Sequence, residues 1–131
     1  MEVYEIADYK EAAKYIEENE TDYKVFVYKG FECEIRRTVA LGHLCGYIKS
    51  PTSAIIQSAE KNFHCGITWE QDNEIGFDCA HLNDMSPGRV ELEEKHYPHW
   101  LKQEDPVWRE RYKTMHYVER NLKETIDNAK E

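Results

Sequence analysis

Residues 76–84 read GFDCAHLND, which sets Asp78, Cys79, His81 and Asp84 within seven positions of one another. Thiols and imidazoles at such spacing do one of two kinds of chemistry: they bind a metal, or a base-activated thiol attacks a substrate. Three further stretches carry the same residue types: His43 and Cys45 in GHLCGYI, and His64 with Cys65 in FHCGITW. Zinc takes thiolate sulfur at about 2.3 Å and imidazole nitrogen at about 2.0–2.1 Å, and four such ligands close a structural site. Cys45, Cys79, His81 and one of His64 or Cys65 can supply that set. His43, Asp78 and Asp84 stand as substitutes for one of these ligands, as does Cys65, and no C-x2-C knuckle is present. Asp78 and Asp84 offer carboxylates that orient a ring or serve as a base beside metal-bound water.

For the four ligands to meet, the elements that carry them must be neighbours. YKVFVYK (23–29) and ECEIRRTVA (32–40) are β-rich runs around Gly30 and Phe31, a hairpin signal. GHLCGYIK is a third run, ended by Pro51, with Thr52 or Ser53 capping a short helix over AIIQSAEKN. FHCGITW and IGFDCAH flank the polar linker EQDNE and read as two antiparallel strands. Alternation along strands puts Cys79 and His81 on one face, makes His64 and Cys65 point oppositely, and sets Asp78 opposite Cys79, as a turn or cap acceptor.

MEVYEI reads as an edge strand. Asp8 with Glu11 forms a capping-box-like start to a helix through about Asn19, buried through Ala12, Ala13 and Ile16. From Thr114 onward Met115, Val118, Leu122 and Ile126 mark one apolar face of a final helix. Between them, residues 82–113 mix turns, prolines and aromatics; Tyr97, Trp100, Trp108 and Tyr112 suit a small core, and His96 and His99 suit surface or packing roles. The fold class expected is α+β: a single domain over 1–131 with an antiparallel sheet, an N-terminal helix and a C-terminal amphipathic helix packed on it.

The chain has 131 residues and a formal net charge of −9, from 17 basic and 26 acidic side chains. That balance disfavours direct binding to nucleic acid and favours a partner with a basic protein surface. Residues 1–22 hold eight acids and two bases. No run approaches the roughly 20 apolar residues that cross a bilayer, and the N-terminus lacks a signal-peptide layout, so a cytoplasmic protein is expected. There the four cysteines are thiols or ligands rather than disulfides, and Cys33, midway along a strand, is expected in the core.

GHLCGYI, FHCGITW, GFDCAHLND and YKTMHYVERNLKETIDN together resemble a group of small phage and prophage proteins patterned G-x-x-C-G-Y-V, V-H-G-G-[IL]-T, G-F-D-C-A-H-x-x-D and Y-[RK]-x-x-x-Y-V. The resemblance covers residues 41–127 in four blocks. It implies roles for Cys45, His64, Cys79 and His81, with Asp78 and Asp84 in motif positions, while Cys65 stands where the pattern has glycine. In size, charge and ligand content the chain is similar to zinc-containing type II-A anti-CRISPR proteins. That similarity implies a non-enzymatic inhibitor in the host cytoplasm that binds Cas9 and blocks target DNA loading. Two alternatives stand beside it: a small zinc hydrolase with three protein ligands and a water, and a sponge for a signalling nucleotide lined by Arg36, Arg37, Arg109 or Arg111.

Overall fold

Three side-chain caps set where the helices start. Asp8 accepts from the Glu11 amide, Thr52 from the Ile55 amide and Thr114 from the Tyr117 amide, opening α1 (Tyr9–Asn19), α2 (Ser53–Asn62) and α4 (Met115–Asp127). The computed structural model describes residues 2–39, 41–81, 83–96 and 110–130. The other elements are β1 (Glu5–Ile6), β2 (Tyr23–Tyr28), β3 (Phe31–Arg37), β4 (Leu44–Lys49), β5 (Trp69–Gln71), β6 (Glu74–Asp78), α3 (Pro87–His96) and β7 (Tyr112–Lys113).

The main sheet is antiparallel, in the order β2-β3-β4-β6-β5, and β1 pairs with β7 in a second, two-stranded sheet. The β2–β3 and β5–β6 hairpins each turn on two residues at positive φ, Lys29 and Gly30 in one and Asp72 and Asn73 in the other. This backbone matches the twist of the flanking strands. The first turn therefore comes one residue earlier than the Gly30–Phe31 spacer expected, and the second is shorter than the five-residue EQDNE linker.

The inner face of the sheet carries Cys33, Ile35, Leu44, Ile48, Ile75 and Phe77, all fully buried. α4 lies on β3 and β4, and α2 lies on α4. Val118, Leu122, Ile126, Ile55 and Ala59 fill the space between, each large side chain contributing about 1.5–3 kcal/mol by leaving water. The expected α+β architecture with a C-terminal helix on the sheet is what forms. Three details differ. MEVYEI contributes only Glu5–Ile6 as strand, Ala13 is exposed while Ile16 is partly buried, and FHCGIT is not a strand. Cys33 and Tyr112 lie in the core as expected. Tyr97, His99, Trp100, Trp108 and Arg109 lie outside the described residues, and His96 closes α3.

Candidate metal centre

Two chain reversals bring the candidate ligands together. At the end of α2 the Gly66 amide donates to the Phe63 carbonyl at 2.8 Å, so His64 and Cys65 sit in a tight turn. The His64 amide donates to Asn121 Oδ1 of α4 at 3.1 Å, and Asn121 Nδ2 donates to the Asn62 carbonyl at 2.9 Å, gripping that turn. Cys65 has φ +59°, a left-handed conformation that costs a side-chain-bearing residue about 1 kcal/mol. At the end of β6, Asp78 Oδ1 accepts from the Ala80 amide and Oδ2 from Thr68 Oγ1, both at 3.1 Å, which bends the chain. Asp78 thus acts as the turn acceptor that strand parity implies. A second reversal follows: the His81 amide donates to Asp84 Oδ2 at 3.1 Å and the Asp84 amide to the His81 carbonyl at 2.9 Å.

Among the described residues, His64, Cys65 and His81 form a group that can hold a metal ion, with one donor atom from each within 4.8 Å of the others. In a zinc-sized tetrahedron donors stand roughly 3.3–3.6 Å apart, so side-chain rotation must close the set slightly. Both nitrogens of His64 are engaged: Nε2 lies 2.7 Å from Asp84 Oδ2 and Nδ1 lies 2.8 Å from the Tyr117 hydroxyl. Nδ1 of His81 is buried without a hydrogen-bond partner, with Asp84 Oδ2 at 3.6 Å and Asp78 Oδ1 at 3.7 Å.

Asp84 is the hub. Its side chain is 1% exposed, and Lys113 Nζ lies 3.2 Å from its Oδ1 as a charge contact without hydrogen-bond alignment. Burial pushes the Asp84 carboxyl up, but the hydrogen bonds from His64 and the His81 amide, with the charges of His64 and Lys113, outweigh it and hold the group below the usual carboxylate range. Asp84 is therefore an anion. Burial raises the Cys65 thiol, and the carboxylates of Asp84 and Asp78 raise it further. Without a cation Cys65 is a thiol, whereas a coordinated dication deprotonates it. Burial likewise lifts the Tyr117 phenol to about 12, so it stays neutral.

The four ligands expected from sequence do not share one point. Cys45 pairs with Asp78 across the β4–β6 ladder, so both face the outer side of the sheet, while Cys79 continues the inner face and is 1% exposed. Burial drives the Cys79 thiol well above its ordinary range, as expected of a core thiol. Parity fails for the other pairs too. His64 and Cys65 lie in a turn rather than a strand and join the same group, and Cys79 parts from His81 because β6 ends at Asp78. His43 is buried, with Nδ1 3.2 Å from both Thr38 Oγ1 and Ser86 Oγ. Tyr117 and Lys113 had no signal as site residues. Tyr117 stands one position before Val118 on the final helix, legible only as a flank of the apolar stripe.

Fold and side chains together define a small mixed α+β protein with a three-residue group able to hold a metal ion. No family model, curated protein or solved structure matches the chain. No helix among the described residues is long and apolar enough to cross a membrane.

Proposed function

We propose that this protein binds one zinc ion through His64, Cys65 and His81 and acts by docking on another protein. The observation that carries the metal is the His81 ring, whose buried Nδ1 has no hydrogen-bond partner in a group with two other donors. An orphaned buried nitrogen costs about 1–3 kcal/mol, which a coordinate bond offsets. The mixture of imidazole and thiolate selects zinc over the oxygen-seeking ions. Elemental analysis of protein purified without chelators is the test. About one zinc per chain is expected in the wild type, in Cys45→Ser and in Cys79→Ala, with loss in Cys65→Ser and His81→Ala. A metal-free wild type ends this reading, and loss in the Cys45 or Cys79 variant with retention in Cys65→Ser restores the strand-borne set.

Docking is supported by the acid-rich N-terminal segment, where Glu2, Glu5, Asp8, Glu11, Glu17 and Glu18 are all exposed. Such a surface speeds association with a basic partner. The resemblance points to Cas9 as that partner, with inhibition by blocked target DNA loading as the outcome. Binding to a type II-A Cas9, with target cleavage suppressed, is the expected result; no binding and intact cleavage reject the inhibitor reading.

A second reading, hydrolysis, has one observation in its favour: a cleft of about 290 Å³ lined by Ala80, His81, Asp84, Ser86 and Glu110, among others. It requires a coordination position open to water. The nucleotide-sponge reading finds less support. Arg37 is held by Glu20 and Asp22, and Arg36 pairs with Glu34 while stacking 4.1 Å over Tyr47.

A further inference from the structure

We infer that Asp84 is the fourth ligand of the centre, closing it with one thiolate, two imidazoles and one carboxylate, and that Tyr117 holds His64 in the tautomer that leaves Nε2 for the ion. This rests on the zinc reading and decides between its structural and hydrolytic forms.

Asp84 Oδ2 is placed against both histidines, 2.7 Å from His64 Nε2 and 3.6 Å from His81 Nδ1. With zinc bonded to nitrogen and oxygen at about 2.0–2.2 Å, neighbouring donors stand roughly 3.3–3.6 Å apart. The two separations bracket that edge. A cation entering beside His81 Nδ1 meets a carboxylate next to both histidines; closure requires the His64–Asp84 contact to lengthen and Cys65, whose group with the two histidines spans up to 4.8 Å, to swing in toward Asp84.

The surroundings supply the outer contacts that a ligand set requires. Once Nε2 faces the ion, the His64 proton resides on Nδ1 and is donated to the Tyr117 oxygen at 2.8 Å. Metal-bound histidines need such a partner to fix tautomer and ring orientation. Asp84 keeps the His81 amide on Oδ2 and Lys113 beside Oδ1. Charge points the same way. One thiolate and one carboxylate neutralise a dication, whereas His64, Cys65 and His81 alone leave a net positive ion next to Lys113, which is 6% exposed. A second positive charge beside that buried ammonium is unfavourable.

A closed centre leaves no position for substrate or water. The ion then acts as a clasp between the turn after α2 and the segment after β6.

Cobalt substitution tests this. The cobalt-loaded wild type is expected to show intense four-coordinate bands with a thiolate charge-transfer band, unchanged by azide. Bands that shift with azide reveal an exchangeable position and overturn the inference. Asp84→Asn is expected to bind cobalt at least about ten-fold more weakly and to become azide-sensitive; wild-type affinity without azide sensitivity overturns it. If that variant does not fold, the wild-type titration decides alone. Tyr117→Phe is expected to weaken binding by about 10–100-fold with the band pattern kept, and unchanged affinity rejects its role. A wild type that takes up neither zinc nor cobalt fails the zinc reading itself, while uptake with an azide response fails only the closed centre.

Discussion

His43 shows how one residue's surroundings become a pH dependence. Its ring is buried against two hydroxyls, and burial lowers its pKa below the usual 6.5, with the carboxylates of Asp78 and Asp84 opposing and His81 assisting. The imidazole is neutral in the fold, so the unfolded chain binds the additional proton. His43 therefore has no effect on the pH dependence above 6.5; as pH falls from there toward the depressed folded value its contribution to stability declines, then levels off. Thermal unfolding followed from neutral pH downward should show a shallower decline in His43→Asn than in the wild type. Identical slopes would assign the acid sensitivity elsewhere. His43 stands apart from the group that can hold a metal ion, with its Nδ1 against the Thr38 and Ser86 hydroxyls.

At the scale of elements, the β4–β6 ladder sets the position of everything that follows Asp78. Gly76 faces Tyr47 in register, and a Cβ there would lie 2.6 Å from the Tyr47 ring and 2.9 Å from the Gly46 carbonyl. The ring cannot easily leave, because the Arg36 guanidinium lies 4.1 Å over it. Gly76→Ala is thus expected to destabilise by about 1–3 kcal/mol, and adding Tyr47→Ala should recover part of that loss. Urea unfolding of both singles and the double provides the check. Strict additivity would mean that the ring is not the obstacle. Because β6 leads into His81, the single variant should also weaken the zinc binding proposed above, while leaving α4 and its caps intact.

Across the whole molecule, one buried ion pair ties the two sheets and two of the helices together. Arg37 of β3 is 8% exposed and reaches Glu20 at 2.9 Å, just past α1, and the Tyr112 hydroxyl of β7 at 2.7 Å. Glu20, 2% exposed, also accepts from Tyr112 at 2.5 Å and from the Met115 amide at 2.6 Å, at the positive end of α4. Removing the cation strands a buried carboxylate. Arg37→Ala should cost about 3–5 kcal/mol, a large part of the 5–15 kcal/mol typical of a domain, with Glu20→Gln in the same chain restoring some of it. A loss below about 1 kcal/mol in chemical denaturation would contradict this account.

What was legible in the sequence has a common physical basis: interactions that span about four residues. Asp8, Thr52 and Thr114 cap helices because each accepts from an amide three positions on, and Met115, Val118, Leu122 and Ile126 are buried because a helix repeats its face every three or four residues. That was enough for the fold class, and GFDCAH contains His81, one of three residues in the group that can hold a metal ion. Which residues form the group able to hold a metal ion was decided only by the tertiary structure. Cys79 keeps the inner-face parity of Ile75 and Phe77 and lies in the core, the end of β6 at Asp78 frees His81 from that alternation, and the register of β4 sets Cys45 on the opposite face. Alternation fixes a side only while the strand continues, so an uncertainty in where it ends leaves the side taken by His81, three residues beyond Asp78, undetermined. Cys65 and Asp84 entered the site through chain reversals, where no periodicity applies, and Tyr117 reached it from an element 53 residues away from His64.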